Sequence, residues 1–246
     1  MDTLMLGLLR PGNEAAVASY QVAAPTFMVL YSLLMALTVN FMPMAAQMRL
    51  RGENDRLGRG VTDLQRMGAC AILPLAGCIA AFSEVLIETL FRRDAPGAGV
   101  ALAILVAGGY WSYSAYLLLN TLAGIGRTRD AAIAVVAGLG ANLVLNGVLV
   151  PLFNLAGAAL ATVFATGVTA VYARHRLAAA LPLPSLGRSV WAGALLGVTG
   201  FTAGTGLTGT TIYEAAPLVI AAAWTTAWPL FCMLTLWCKG SCIART

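Results

Sequence analysis

The stretch AAIAVVAGLGANLVLNGVLVPLFNLAGAALATVFATGVTAVYA, residues 131–173, carries no charged side chain. A helix crossing a bilayer core of about 30 Å uses about 20 residues. The run is therefore too long for one span and long enough for two. Its interruption, Pro151-Leu-Phe-Asn154, separates Ala131–Phe153 from Leu155–Ala173 and predicts a helical hairpin closed by a tight turn. Helix is expected because backbone groups in lipid must pair within their own segment, and strand-type alternation is absent.

Five more stretches qualify on the same arithmetic: Val17–Met48, Met67–Phe91, Gly97–Ile125, Val190–Leu207 and Ala215–Cys238. The first is long enough to tilt or to reach beyond the bilayer. The expected fold is all-α, a polytopic membrane helical bundle of about seven transmembrane helices. Composition agrees: of 246 residues 59% are apolar and 10% charged, with a mean hydropathy of +0.82. So few charges cannot cover a soluble domain, which excludes soluble globular, disordered, coiled-coil and disulfide-rich secreted classes. The five cysteines lie in or beside apolar runs, where Cys acts as a small hydrophobe. With His175 the single histidine, no zinc site is expected.

The net charge of +5 sits in short connections, which is a topology signal and no nucleic-acid surface. With seven crossings, Arg49–Arg66, Arg127–Asp130, Arg174–Ser189 and the tail share one side and hold twelve basic residues. The other side holds three, Arg10, Arg92 and Arg93. By the positive-inside rule the C-terminus is cytoplasmic and the N-terminus external, in the cell membrane. The expected organisation is an external segment 1–16, five helices over 17–173, a cytoplasmic linker 174–189, two helices over 190–238 and a cytoplasmic tail 239–246. An external N-terminus without a leader pattern leads to the expectation that membrane segments precede Met1.

Small residues dominate the apolar ones. Gly157-Ala-Ala-Leu-Ala161 and Gly138–Gly140 are expected to let helix backbones approach closely. Pro43, Pro74, Pro151, Pro217 and Pro229 fall within or at the ends of spans, as static kinks or as bends a moving transporter uses.

Glu84 and Glu88 are the acidic residues well inside a span, on one helix face and toward its external end. They read as a cation or proton site, or as a wall of a hydrophilic pathway. The alternative is interfacial, with Glu88 pairing with Arg92 and Glu84 snorkelling. Asn120, Asn142 and Asn146 recur inside spans, the last two on one face; they line a cavity or glue helices together by amide hydrogen bonds. Tyr110, Trp111, Tyr113 and Tyr116 suit stacking on sugars, packing or an interfacial belt. No hydrolase, metalloprotease or nucleotide-binding motif is present. The nearest approach to a metal-pyrophosphate site, Asp55 with Asp63, lacks the intervening acid and lies in an arginine-rich stretch read as a solvated connection. No catalytic residue, cofactor or metal is expected.

Several strings, in order, match a family pattern: Asp2-Thr-Leu-Met-Leu-Gly7, Ala18-Ser-Tyr20-Gln-Val-Ala23, Phe41-Met-Pro43, the Arg-Gly-Glu-Asn-Asp loop, Leu73-Pro74, Leu122-Ala-Gly-Ile-Gly-Arg127, Ala141-Asn142-Leu-Val-Leu-Asn146, Pro151 and Gly157-Ala-Ala-Leu-Ala-Thr162. Together, over residues 2–173, they resemble the C-terminal half of polysaccharide-biosynthesis flippases of the multidrug/oligosaccharidyl-lipid/polysaccharide exporter superfamily. The resemblance implies two six-helix lobes plus two C-terminal helices, with Met1–Leu9 similar to the end of helix seven and the seven spans similar to helices eight to fourteen. The external N-terminus inferred from loop charge agrees with that placement.

The implied function is translocation of lipid-linked oligosaccharide across the cytoplasmic membrane by alternating access. Desolvating a sugar-pyrophosphate head in hydrocarbon costs far more than thermal energy, so a polar cavity must replace its water. In the family that cavity lies between lobes, which makes a missing N-terminal lobe or a second subunit an expected partner beside membrane lipid and the lipid-linked oligosaccharide. Arg10, Arg92 and Arg127 are the candidate pyrophosphate contacts, against a role as topology determinants. The other readings are a drug/cation antiporter of the same superfamily, a membrane-embedded prenyl- or glycosyltransferase, and a half that is inactive alone.

Overall fold

The computed structural model describes residues 2–9, 12, 14–91 and 95–208. The expected span Ala215–Cys238, the tail, Arg10, Arg92 and Arg93 lie outside these residues. Among the described residues every regular element is an α-helix: α1 (Asp2–Leu9), α2 (Glu14–Val39), α3 (Phe41–Leu50), α4 (Asn54–Ala81), α5 (Ser83–Phe91), α6 (Ala98–Ala107), α7 (Gly109–Gly124), α8 (Thr128–Ala178) and α9 (Gly187–Thr208).

The predicted hairpin lies within α8. Asn154 leaves helical geometry at φ 51°, ψ −122°. Positive φ is uncommon for a residue bearing a side chain, and Asn is among those that tolerate it best. The chain then doubles back: Gly157 packs on the Leu149 carbonyl, Gly138 on Thr169, and Asp130 meets Arg176. The outward face of the first limb exposes Val136, Val144, Val148 and Leu152, a surface suited to hydrocarbon.

By length and apolar composition α4 and α8 each suffice to cross a bilayer. Helices α6 and α7 pass the same test taken together and are bent by 46° at their junction, the geometry of a broken span or of a re-entrant loop. The break falls at Gly108, where a Cβ would lie 2.3 Å from Val163 of α8. The first expected span, Val17–Met48, is two helices meeting at Asn40. Pro43 lacks the N–H that would return to the carbonyl of Val39, so the helical ladder is interrupted at that point.

The arginine-rich connection is a larger difference. Expected as a solvated loop over Arg49–Arg66, it is instead a turn at Arg51–Glu53 followed directly by α4. Gly52 takes φ 74°, and the N–H groups of Gly52 and Glu53 reach back to the carbonyls of Arg49 and Met48. Leu57, Val61 and Gln65 recur every four residues on a buried face, while Arg56 and Arg66 pair with Glu53 and Asp63 on the other. Apolar periodicity continues through the charged stretch, so the helix does too.

Two buried cores stack along the bundle. One, around Leu57, Val61, Leu117, Leu122 and Leu177, lies toward the arginine-rich end. The other, around Leu6, Tyr20, Leu102, Val150 and Ala158, lies toward the Asn154 turn. Helix α9 rests on α4 with backbones nearly touching: a Cβ on Gly77 would sit 2.0 Å from the Gly197 carbonyl oxygen, and one on Gly193 2.5 Å from that of Ala69. The Gly193-Ala-Leu-Leu-Gly197 spacing is the small-xxx-small pattern that brings membrane helices together. Of the close approaches expected on α8, Gly138 and Gly157 make them, whereas Gly140 faces open space.

Candidate functional site

Three helices converge on one carboxylate. Asp2 stands in the first turn of α1, Tyr20 on α2, Asn142 and Asn146 on the first limb of α8, and Thr162 on the second. The Nδ2 groups of Asn142 and Asn146 donate to Asp2 Oδ1 at 3.1 and 3.0 Å. Thr162 Oγ1 and the Tyr20 hydroxyl donate to Oδ2 at 2.6 and 2.9 Å. Asn146 Nδ2 also donates to Asn142 Oδ1 at 3.0 Å. Asn146 is fully buried and its Oδ1 has no hydrogen-bond partner. It lies eight residues before the Asn154 turn, about 12 Å along the helix axis, so the cluster is deep within the span.

The chemistry of the set is narrow. Every potential ligand atom is oxygen: carboxylate, amide carbonyl and hydroxyl. Oxygen donors suit hard cations. Among the described residues no three His, Cys, Asp or Glu side chains come together; the formal charge here is that of Asp2. One negative charge in hydrocarbon is neutralised by one small monovalent cation or one proton, while a divalent ion would leave an uncompensated charge.

A second polar assembly closes the arginine-rich end. Asp130 receives Arg127 Nε at 2.6 Å and Arg176 Nε at 2.8 Å, and Arg127 Nη1 donates to the Arg176 carbonyl. Hydrogen bonding from Arg176, with the positive charges of both arginines, outweighs burial and holds the Asp130 carboxyl below its ordinary range. A folded-state value below the unfolded one, about 3.9, makes the contribution fully present above that value and lost as pH falls through the folded one. Asp130→Asn therefore lowers the Tm at neutral pH, and the gap to the parent closes on acidification; melting curves at stepped pH read this directly.

The candidates distribute as follows. Asn142 and Asn146 are in the carboxylate cluster. Asn120 is not: it is half-buried on α7, its Nδ2 unpartnered. Glu84 and Glu88 are exposed and line an open cavity of about 400 Å³ beside Pro96, Gly97 and Gly99. Arg127 is committed to Asp130, and Arg10 and Arg92 lie outside the described residues. Sequence reasoning missed Asp2, Tyr20 and Thr162 as site residues. A signal existed, since the Asp2, Tyr20, Asn142–Asn146 and Thr162 positions fall in four separate strings of the family pattern.

Comparison with known proteins matches a family model described as MatE to residues 1–148. The chain is also similar to an uncharacterized membrane protein of Methanocaldococcus jannaschii, 32% identical over 150 residues, which is 61% of this chain and 30% of that protein. The chain thus spans less than a third of that relative within the matched region. No solved structure matches.

Proposed function

From the premise that this chain belongs to the MatE family of membrane transporters, we propose that it forms the C-terminal lobe of a cation-coupled carrier that translocates lipid-linked oligosaccharide. The observation carrying this reading is the Asp2 cluster, a half-buried carboxylate held by two amide N–H₂ groups and two hydroxyls, with one buried amide oxygen left open. Loading a monovalent cation there neutralises the one negative charge of the cluster within the span. The carboxylate's hydrogen bonds tie α1 and α2 to both limbs of α8, so a cation that competes for its oxygens changes a contact between helices, as alternating access requires. The order of the family strings favours a sugar-lipid cargo, and the arginine-rich end is assigned to the cytoplasm on loop charge.

A drug/cation antiporter of the same superfamily is the second reading, favoured by the same cluster, since either cargo needs a coupling ion. Proteoliposomes holding the full-length carrier separate the two. Na⁺-dependent transfer of a fluorescent lipid-linked oligosaccharide between leaflets, absent in Asp2→Asn, is the expected result. Efflux of a cationic dye without sugar-lipid transfer overturns the flippase assignment.

A further inference from the structure

Arg174 is a half-buried arginine beside which, among the described residues, no carboxylate lies. Its Nη1 donates to Gln65 Oε1 and its Nη2 to the Pro184 carbonyl at 2.8 Å, while Gln65 Nε2 donates to Ser114 Oγ at 2.6 Å. A guanidinium has five N–H donors, so three remain. Gln65 is fully buried, which fixes the direction in which Arg174 is held. These groups form the polar end of a cavity of about 510 Å³ between α4, α7, α8 and α9, flanked by Trp111 and Trp191. Leu73 and Ala194 line this cavity and also a second, apolar one of about 440 Å³ that runs on to Ile104 and Phe201. The two cavities thus share the Leu73–Ala194 wall, and among the described residues lining them Arg174 carries the one positive charge, at the arginine-rich end, with mostly apolar side chains along the rest.

We propose that these two cavities hold an anionic phospholipid, its phosphodiester on Arg174 and an acyl chain along Leu73, Ala194 and Phe201. The charges match one to one: a phosphodiester carries a single negative charge, and guanidinium–phosphate pairing is bidentate and charge-assisted. A pyrophosphate would bring excess charge that Arg66, already paired with Asp63 at 3.3 Å, does not meet. Trp191, near the start of α9 at the arginine-rich end, stands where a tryptophan marks the headgroup level. The lipid is a resident wedge between α9 and the rest of the lobe and is distinct from any cargo.

Trp111 and Trp191 provide the readout once Trp224, Trp228 and Trp237 are replaced by phenylalanine in the parent and in each variant. The full chain in detergent is titrated with brominated phosphatidylglycerol or brominated phosphatidylcholine, and tryptophan quenching is followed. The anionic lipid is expected to quench at about fivefold lower mole fraction than the zwitterionic one, a factor suited to one arginine–anionic lipid contact. Arg174→Lys keeps most of that ratio, and Arg174→Gln, eluting as a single species, brings it to one. Sodium phosphate does not reverse the quenching beyond sodium chloride of equal ionic strength. A ratio of one in the parent chain, or an unchanged ratio in Arg174→Gln, overturns the proposal. So does displacement by free phosphate, or stronger displacement by polyprenyl pyrophosphate than by unlabelled phosphatidylglycerol. Because nothing is transported in the measurement, its failure is separate from that of the carrier reading.

Discussion

Asp2→Asn abolishes the stabilisation that Na⁺ confers on the chain. In the parent, a cation that binds only the folded state raises stability by about 2.7 kcal/mol at 100 times its Kd, and melting curves across a Na⁺ series, with K⁺ and choline as controls, read the effect as a rise in Tm. The substitution isolates charge from shape. An amide at position 2 still accepts from Asn142 and Asn146, and its own N–H₂ meets the Thr162 and Tyr20 hydroxyls, which can turn to accept. The fold is therefore kept while the charge that holds the cation is gone. Asp2→Ala behaves differently: it leaves buried donors without an acceptor, a cost of about 1–3 kcal/mol for each such group. An Asp2→Asn protein that still responds to Na⁺ refutes the cluster as a cation site. A parent that responds to pH and not to Na⁺ refutes Na⁺ and makes the proton the coupling ion.

Gly77→Leu detaches α9 from α4, with a loss of about 3 kcal/mol or more. A Cβ at position 77 would lie 2.0 Å from the Gly197 carbonyl oxygen and 2.8 Å from its carbon, and both are backbone atoms. No rotamer change relieves that contact; the whole of α9 must move. Since a Cβ on Gly193 or Gly197 would likewise lie 2.5 or 2.6 Å from the Ala69 or Leu73 carbonyl oxygen, the displacement opens the entire crossing. Unfolding in a denaturing-detergent titration measures the loss, and faster proteolysis of the connection between α8 and α9 reports detachment. Gly140→Ala is the matched control, because an added Cβ there meets nothing within 4 Å. Its effect stays within about 0.5 kcal/mol. Equal losses at both positions would show that helix propensity, and no interlocking of backbones, sets the outcome.

The hairpin of α8 was legible because it is a local matter. An uncharged run of twice the bilayer length, broken by Pro151 and Asn154, has one economical arrangement. The start of α4 was less legible: Arg56, Arg59 and Arg66 mask the four-residue recurrence of Leu57, Val61 and Gln65, although both sets occupy the same helix. Asn142 and Asn146 were identifiable from their shared face, because four-residue spacing is visible along a chain. Asp2 was not, because 140 residues separate it from Asn142.

Hydropathy along the chain is enough to establish a helical membrane protein and a tight reversal over Pro151–Asn154. Each rests on the transfer free energy of a contiguous segment, which any window of residues reports. Which polar groups meet is another kind of fact. That Asp2, Tyr20, Asn146 and Thr162 share one centre, and that Gln65, Ser114 and Arg174 share another, follows from how glycine-lined helices pack against one another. In a bilayer that packing is driven by van der Waals fit and interhelical hydrogen bonds with no water to expel. Such fit is a property of paired surfaces, and it exists once the helices are in place.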